Sequence, residues 1–235
     1  RYRRQKGRGI LNTEPKHHLP ADIERTSMSI IESEMKARGI ALPPQTAAVV
    51  KRVIHTTADF EYADTLRFTQ DAVALGVQAL QRGVPIVTDT NMAKAGISKP
   101  SLQKLGSQVY CFMAEESVAR QARENGTTRA VAAMHHAART MPGALLAVGN
   151  APTALLAIAD LIEAGLRPAL VVGVPVGFVN VVESKQRLMQ VCEAAGVPAI
   201  AAMGRKGGSN VAAAICNALL YTALDTLDPA NRGWQ

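Results

Sequence analysis

Five short apolar runs, at residues 84–88, 108–112, 144–148, 169–174 and 199–203, recur between longer segments of helical spacing. The helical patterns fall at 69–82, 115–124, 128–140, 152–164, 182–195 and 209–224. Runs of this length, rich in Val, Ile, Leu and Ala, suit strands buried on both faces. Their regular alternation with helices specifies a parallel sheet, because each parallel connection must cross over and a helix makes the crossing. Two amphipathic helices are predicted ahead of the first strand, over 20–38 and from Pro44 to His55. Ile23, Met28, Ile31 and Met35 lie near one face of the first, and Gly39 is placed to end it. The expected fold is α/β: a single domain with a mostly parallel five-stranded sheet, helices on both faces, and N-terminal helices before it. The domain is read over 20–225, between a basic flexible extension at 1–19 and a C-terminal tail at 226–235.

The net charge of +7 is concentrated at one end. Residues 1–16 hold Arg1, Arg3, Arg4, Lys6, Arg8 and Lys16 against Glu14, a net of +5, which leaves +2 for the body. A basic arm on a nearly neutral globule is a weak electrostatic footprint and reads as a solvated extension. No nucleic-acid partner is therefore expected. Cys111, Cys192 and Cys216 lack metal-ligand spacing, and an odd count argues against a disulfide framework. In apolar surroundings they read as buried thiols of a reducing compartment, hence a cytoplasmic protein. The basic start runs only into Ile10-Leu11 before polar residues resume, so no secretory leader is expected. Two uncharged stretches, 140–159 and 207–224, approach membrane length. The first is broken by Gly149-Asn150-Ala151-Pro152 and the second carries Ser209, Asn210 and Asn217, so both read as buried elements without a membrane role.

In open parallel sheets ligands bind beyond the carboxyl ends of the strands. The loops expected there are Thr88-Asp89-Thr90-Asn91-Met92, Gly149-Asn150-Ala151-Pro152-Thr153, Gly173 through Asn180, and Gly204-Arg205-Lys206-Gly207-Gly208-Ser209-Asn210. Glycines ahead of a helix expose N–H groups that hold anions, and Arg205 and Lys206 add charge. Any one of these loops reads equally as a tight turn; four at one edge favour a shared site. Gly-x-Gly-x-x-Gly after the first strand, Gly-x-x-x-x-Gly-Lys-Ser/Thr and Gly-x-Ser-x-Gly are all missing. His135 and His136 are adjacent on a helix and diverge, a poor metal pair, and His17 and His18 lie in the extension.

One apolar run, Val49 to Asp59, ends in a histidine between hydroxyls and a carboxylate. An imidazole titrating near neutrality gives or takes a proton at cellular pH. On a helix Arg52 and His55 share a face, which suits an anionic substrate that must be protonated. The same spacing also fits a histidine stabilised by a helix C-terminus, and spacing alone leaves both open.

The chain resembles the precorrin-8X methylmutase family in an ordered set of motifs across about residues 20–222. They are Ile23-Glu24-Arg25-Thr26-Ser27-Met28-Ser29-Ile30-Ile31, Arg52-Val53-Ile54-His55-Thr56-Thr57-Ala58-Asp59, Gly149-Asn150-Ala151-Pro152-Thr153-Ala154, Gly173-Val174-Pro175-Val176-Gly177-Phe178, Glu183-Ser184-Lys185 and Gly204-Arg205-Lys206-Gly207-Gly208-Ser209. The resemblance implies an isomerase of cobalamin biosynthesis that moves a methyl group between adjacent carbons of a polycarboxylate tetrapyrrole. It implies no protein-held cofactor or metal, any cobalt travelling with the substrate, and a homodimer with active sites near the subunit interface. His55 is implied as proton donor and acceptor, with Ser27, Arg52 and Arg129 as substrate-binding residues. Asp89, at the end of the first strand, completes the expected substrate-binding set. The rival readings are a non-catalytic tetrapyrrole carrier, a Rossmann-type nucleotide enzyme using the last glycine loop, and nucleic-acid binding through the basic arm.

Overall fold

The structure, a computed structural model, describes residues 19–232; the basic extension, Leu19 apart, lies outside the described residues. Two helices come first, α1 (Pro20–Ala37) and α2 (Pro44–Thr57), each opening on a proline whose missing N–H is no loss in a first turn. Gly39 ends α1 as the spacing requires: at φ +69° it lets Ile40 N–H reach Met35 O at 2.9 Å and its own N–H reach Lys36 O at 3.1 Å. The chain continues through α3 (Tyr62–Thr65), β1 (Leu66–Phe68), α4 (Ala72–Gln81), β2 (Ile86–Thr88), α5 (Asn91–Gly96), α6 (Lys99–Lys104) and β3 (Val109–Tyr110). Then come α7 (Glu116–Glu124), α8 (Arg129–Thr140), β4 (Leu145–Val148), α9 (Pro152–Glu163), β5 (Leu170–Gly173), α10 (Val181–Ala195), β6 (Ala199–Ala202) and α11 (Ser209–Ala223). A 3-10 helix, Pro229–Arg232, follows.

Five strands are expected from the apolar runs, and the sheet has six, in the order β1-β6-β5-β4-β2-β3. The additional strand, β1, is three residues long, antiparallel to β6, and places Arg67 in solvent. An edge strand so short and half-exposed presents no continuous apolar run. All other pairings are parallel. Strands β4, β5 and β6 are buried at every position, since helices cover both faces. Leu145 and Ala147 join the core under α2, α4 and α11, while Leu146 and Val148 join the core under α7, α8, α9 and α10. That alternation is the period of two along a strand. The short helices α3, α5 and α6 also escape the periodicity, because one or two turns do not complete an amphipathic pattern.

The described residues after α11 pack against the body of the fold. Thr226 is buried, and the 3-10 helix lies against α1. At the carboxyl edge the loop after β6 presses on the exit of β5: Gly208 N–H donates to Val174 O at 2.8 Å. A Cβ at Gly207 would sit 2.1 Å from that same carbonyl oxygen. Gly207→Ala must displace the loop, an overpacking cost of about 1–3 kcal/mol. The expected drop in Tm is about 2 °C or more, read by thermal unfolding; an unchanged Tm would show that the loop has slack.

Candidate active site

A cleft of about 710 Å³ opens between α1, the C-terminal end of α2 and the loop after β6. Met203 N–H donates to Thr65 O at 2.9 Å, which holds Thr65 beside the end of β6. Ser27 and Ile31 of α1, Ile54 and His55 of α2, then Asp59 and Lys206 line it. Ser27 donates its hydroxyl to Ile23 O at 2.9 Å, which leaves the oxygen lone pairs free to accept. Lys206 Nζ bridges Asp59 and Glu61 at 2.6 Å each. Hydrogen bonds from Lys206 hold the Asp59 carboxyl below the usual carboxylate range, and the two carboxylates push the ammonium up. Ala58 closes α2 with φ 53°, a left-handed conformation costly for a residue with a Cβ, and it too faces the cleft.

His55 is half-buried at the last turn of α2. Burial lowers its pKa below the ordinary histidine value, the Arg52 guanidinium lowers it further, Glu24 opposes, and Arg232 adds to the lowering. Arg52 itself is buried and holds Glu24 at 2.5 Å. Burial pushes the Glu24 carboxyl up, but hydrogen bonds from Arg232 and then Arg52 outweigh it and keep the group below its usual range.

Two further buried charges organise the carboxyl edge. The chain leaves β2 for β3 on one side and returns to β4 on the other, so the sheet reverses direction between β2 and β4. Such a reversal opens a crevice where ligands commonly bind. Here Asp89 fills it: the carboxylate accepts N–H bonds from Gly149, Asn150 and Ala151, each at 2.8 Å. Burial pushes this carboxyl up against the opposing effect of those donors. On α10, Lys185 is wholly buried and donates to Gly204 O and Lys206 O, both at 2.8 Å. Burial brings its ammonium down to about 8.

Of the residues expected from the sequence, the fold brings His55 and Ser27 together in the cleft. Arg52 lies behind His55 with an internal carboxylate in place of the expected substrate carboxylate. Asp89, at 1 % exposure, gives its carboxylate to three backbone donors and lies apart from the residues lining the cleft. Arg129 is exposed on the first turn of α8, apart from the residues lining the cleft. Lys206 and Lys185 were legible only in part. The stripe Val181, Lys185, Leu188, Cys192 sets a lysine among buried helix positions, and that misfit is the signal for Lys185. Glu24 stands in a quoted motif but with no role assigned to it, and nothing local marks Arg232.

Residues 22–222 match the family model described as precorrin-8X methylmutase. The chain is 45 % identical over 206 residues to the cobalt-precorrin-8 methylmutase of Salmonella typhimurium, covering 86 % of this chain and 95 % of that one. It is 38 % identical over 198 residues to the precorrin-8X methylmutase of Pseudomonas aeruginosa, covering 84 % and 93 %. Among solved structures it superposes on the precorrin-8x methyl mutase from Thermus thermophilus with TM-score 0.78 and 42 % identity, covering 86 % and 98 %.

The buried charges generate two predictions. Asp89→Ala strands three N–H donors and is expected to cost on the order of 3 kcal/mol, read from chemical denaturation; Asp89→Asn, which keeps one acceptor oxygen, should lose less. Lys185 titrates near 8 in the fold against about 10.4 in an unfolded chain. Between these values the unfolded chain binds the extra proton, so this group makes stability rise with pH. Denaturation midpoints of the wild type should therefore climb from pH 8 towards 10 relative to Lys185→Met; parallel profiles would refute the assignment.

Proposed function

The chain belongs to the precorrin-8X methylmutase family, and from that premise we propose how its fold carries out the isomerisation, with His55 as the proton-transfer group. The protein is an isomerase of cobalamin biosynthesis acting on a tetrapyrrole precorrin. One C–C bond to a migrating methyl group breaks and another forms at the neighbouring ring carbon, with no atom gained or lost. The conversion is precorrin-8X to hydrogenobyrinic acid, or its cobalt-loaded counterpart to cobyrinic acid. Cobalt, when present, enters as part of the substrate, and the reading calls for no cofactor held by the protein.

The observation that carries this reading is the placement of His55. It stands on the cleft wall beside Ser27, one helical turn from Arg52 and its buried pair with Glu24. Burial and Arg52 favour the neutral imidazole, which accepts a proton from the macrocycle and returns it as the conjugated bonds reorganise. Ser27 offers its lone pairs to a donor on the substrate. Lys206 stands at the cleft mouth and exchanges Asp59 and Glu61 for an arriving substrate carboxylate. Arg52 keeps Glu24 and acts through its field on His55.

The same reading retains Arg129 as a carboxylate ligand supplied near a homodimer contact. Exposed Val176, Phe178 and Val179, on the loop after β5, offer apolar surface of the kind a subunit contact covers. No nucleic-acid partner is assigned, and a reducing cytoplasm suits the three free thiols.

His55→Ala, assayed with purified metal-free and cobalt-loaded substrate, should lose about 10²–10⁴-fold in kcat with the fold intact. In the wild type, kcat/KM should fall on the acid side at a pH below the ordinary histidine value near 6.5. That limb should vanish in His55→Gln. Near-normal turnover by His55→Ala would remove the residue from the chemistry.

A further inference from the structure

The Glu183-Ser184-Lys185 motif is absent from the cleft lining, yet Lys185 reaches the cleft through the main chain. It lies on α10 at 0 % exposure, in the buried stripe with Val181, Leu188 and Cys192. Among the described residues no carboxylate pairs with its ammonium, which donates to Gly204 O and to Lys206 O, both at 2.8 Å. Filling that space needs no charge, and burying one is costly. What the ammonium adds is a donor for two carbonyls of a cleft loop.

The second of those carbonyls bears on Lys206 directly. Peptide planarity leaves φ and ψ as the only soft torsions at Lys206. The plane before it is held by Gly177 N–H, which donates to Arg205 O at 3.2 Å. The plane after it is held by Lys185 at Lys206 O. With both planes held, the Cα–Cβ direction of Lys206 is set. It sends the ammonium over the cleft mouth to Asp59 and Glu61, at 2.6 Å each. Nor is the loop free to slide as a body. Gly208 N–H is on Val174 O at 2.8 Å, and a Cβ at Gly207 would lie 2.1 Å from that oxygen.

We infer that Lys185 is a positioning residue that aims Lys206 across the cleft mouth by fixing the peptide plane after it. The inference deepens the reading of Lys206 as ligand for a substrate carboxylate and rests on it. Without the Lys185 ammonium the Lys206–Gly207 plane turns freely while the loop stays anchored through Gly177 and Gly208. Lys206 then samples several directions, and ordering it against a carboxylate costs entropy that Lys185 otherwise removes in advance.

The test uses the full chain. In the substrate-free protein the reporter is the Asp59 carboxyl, which hydrogen bonds from Lys206 hold down. It is followed by NMR titration and assigned by its loss in Asp59→Asn. Glu34, Arg38, His55 and Glu61 also line the cleft, and they are the same in every variant compared. Lys185→Met should move the Asp59 titration upward, as Lys206→Met does, and the double variant should move it no further than Lys206→Met alone. With purified substrate, Lys185→Met should raise KM about two- to fivefold, the scale of one exposed ion pair, and by more than kcat falls. Added to Lys206→Met it should raise KM no further, because two changes in one interaction do not add. A merely structural lysine would lower Tm and leave the Asp59 titration where it was. An unmoved Asp59 titration in folded Lys185→Met, or shifts that add in the double variant, overturn the inference. Should Lys185→Met not fold, Lys185→Gln, which keeps an amide donor on a shorter arm, is read in the same way. A moved Asp59 titration with KM unmoved in both single variants supports the positioning and counts instead against Lys206 as the substrate ligand.

Discussion

The carboxylate of Glu24, clamped between Arg52 and Arg232, is the interaction on which the site depends. It joins α1, α2 and the terminal 3-10 helix, and both guanidinium groups lean on Tyr221 of α11. Leaving one member of a buried ion pair without its partner typically costs about 3–5 kcal/mol. The cluster therefore fixes how α1 meets α2, and that junction is the cleft. Ser27 stands one turn after Glu24 and His55 one turn after Arg52, so locking the two charges also sets the spacing of the two cleft residues.

At the carboxyl edge of the sheet the same device appears twice in simpler form. Asp89 acts as an internal anion for the amides that precede α9, in the crevice where a doubly wound sheet would otherwise receive a ligand anion. Lys185 acts as an internal cation for two carbonyls of the loop that carries Lys206. The cleft that holds His55 lies to one side of this crevice, next to β6 and the end of α2.

Much of the fold was legible because its signals are local. The five runs became β2 to β6, and the helix patterns at 115–124 and 128–140 became α7 and α8 to within a residue or so. Strand β1 escaped because Leu66–Phe68 is an edge element whose pairing with β6 is decided by tertiary contact, not by its own pattern. His55 and Ser27 were legible through their motifs, and the fold places both in one cleft. Arg52 and Asp89 were legible as charged groups in the right neighbourhood. Their side chains turned to internal partners, which no spacing along the chain announces.

The sequence by itself determined the order and kind of the main elements and membership of the methylmutase family. Periodicity, turn residues and motifs all act over a few residues, so each is readable in place. Only the tertiary structure decided which charges pair inside the protein and which line the cleft. Glu24 meets Arg52 across 28 positions and Arg232 across 208, and Asp89 meets Gly149 across 60. A charge taken out of water must find a partner wherever the packing puts one. That requirement is met in space, and it gives Arg52, an expected substrate ligand, a carboxylate of this chain as its partner.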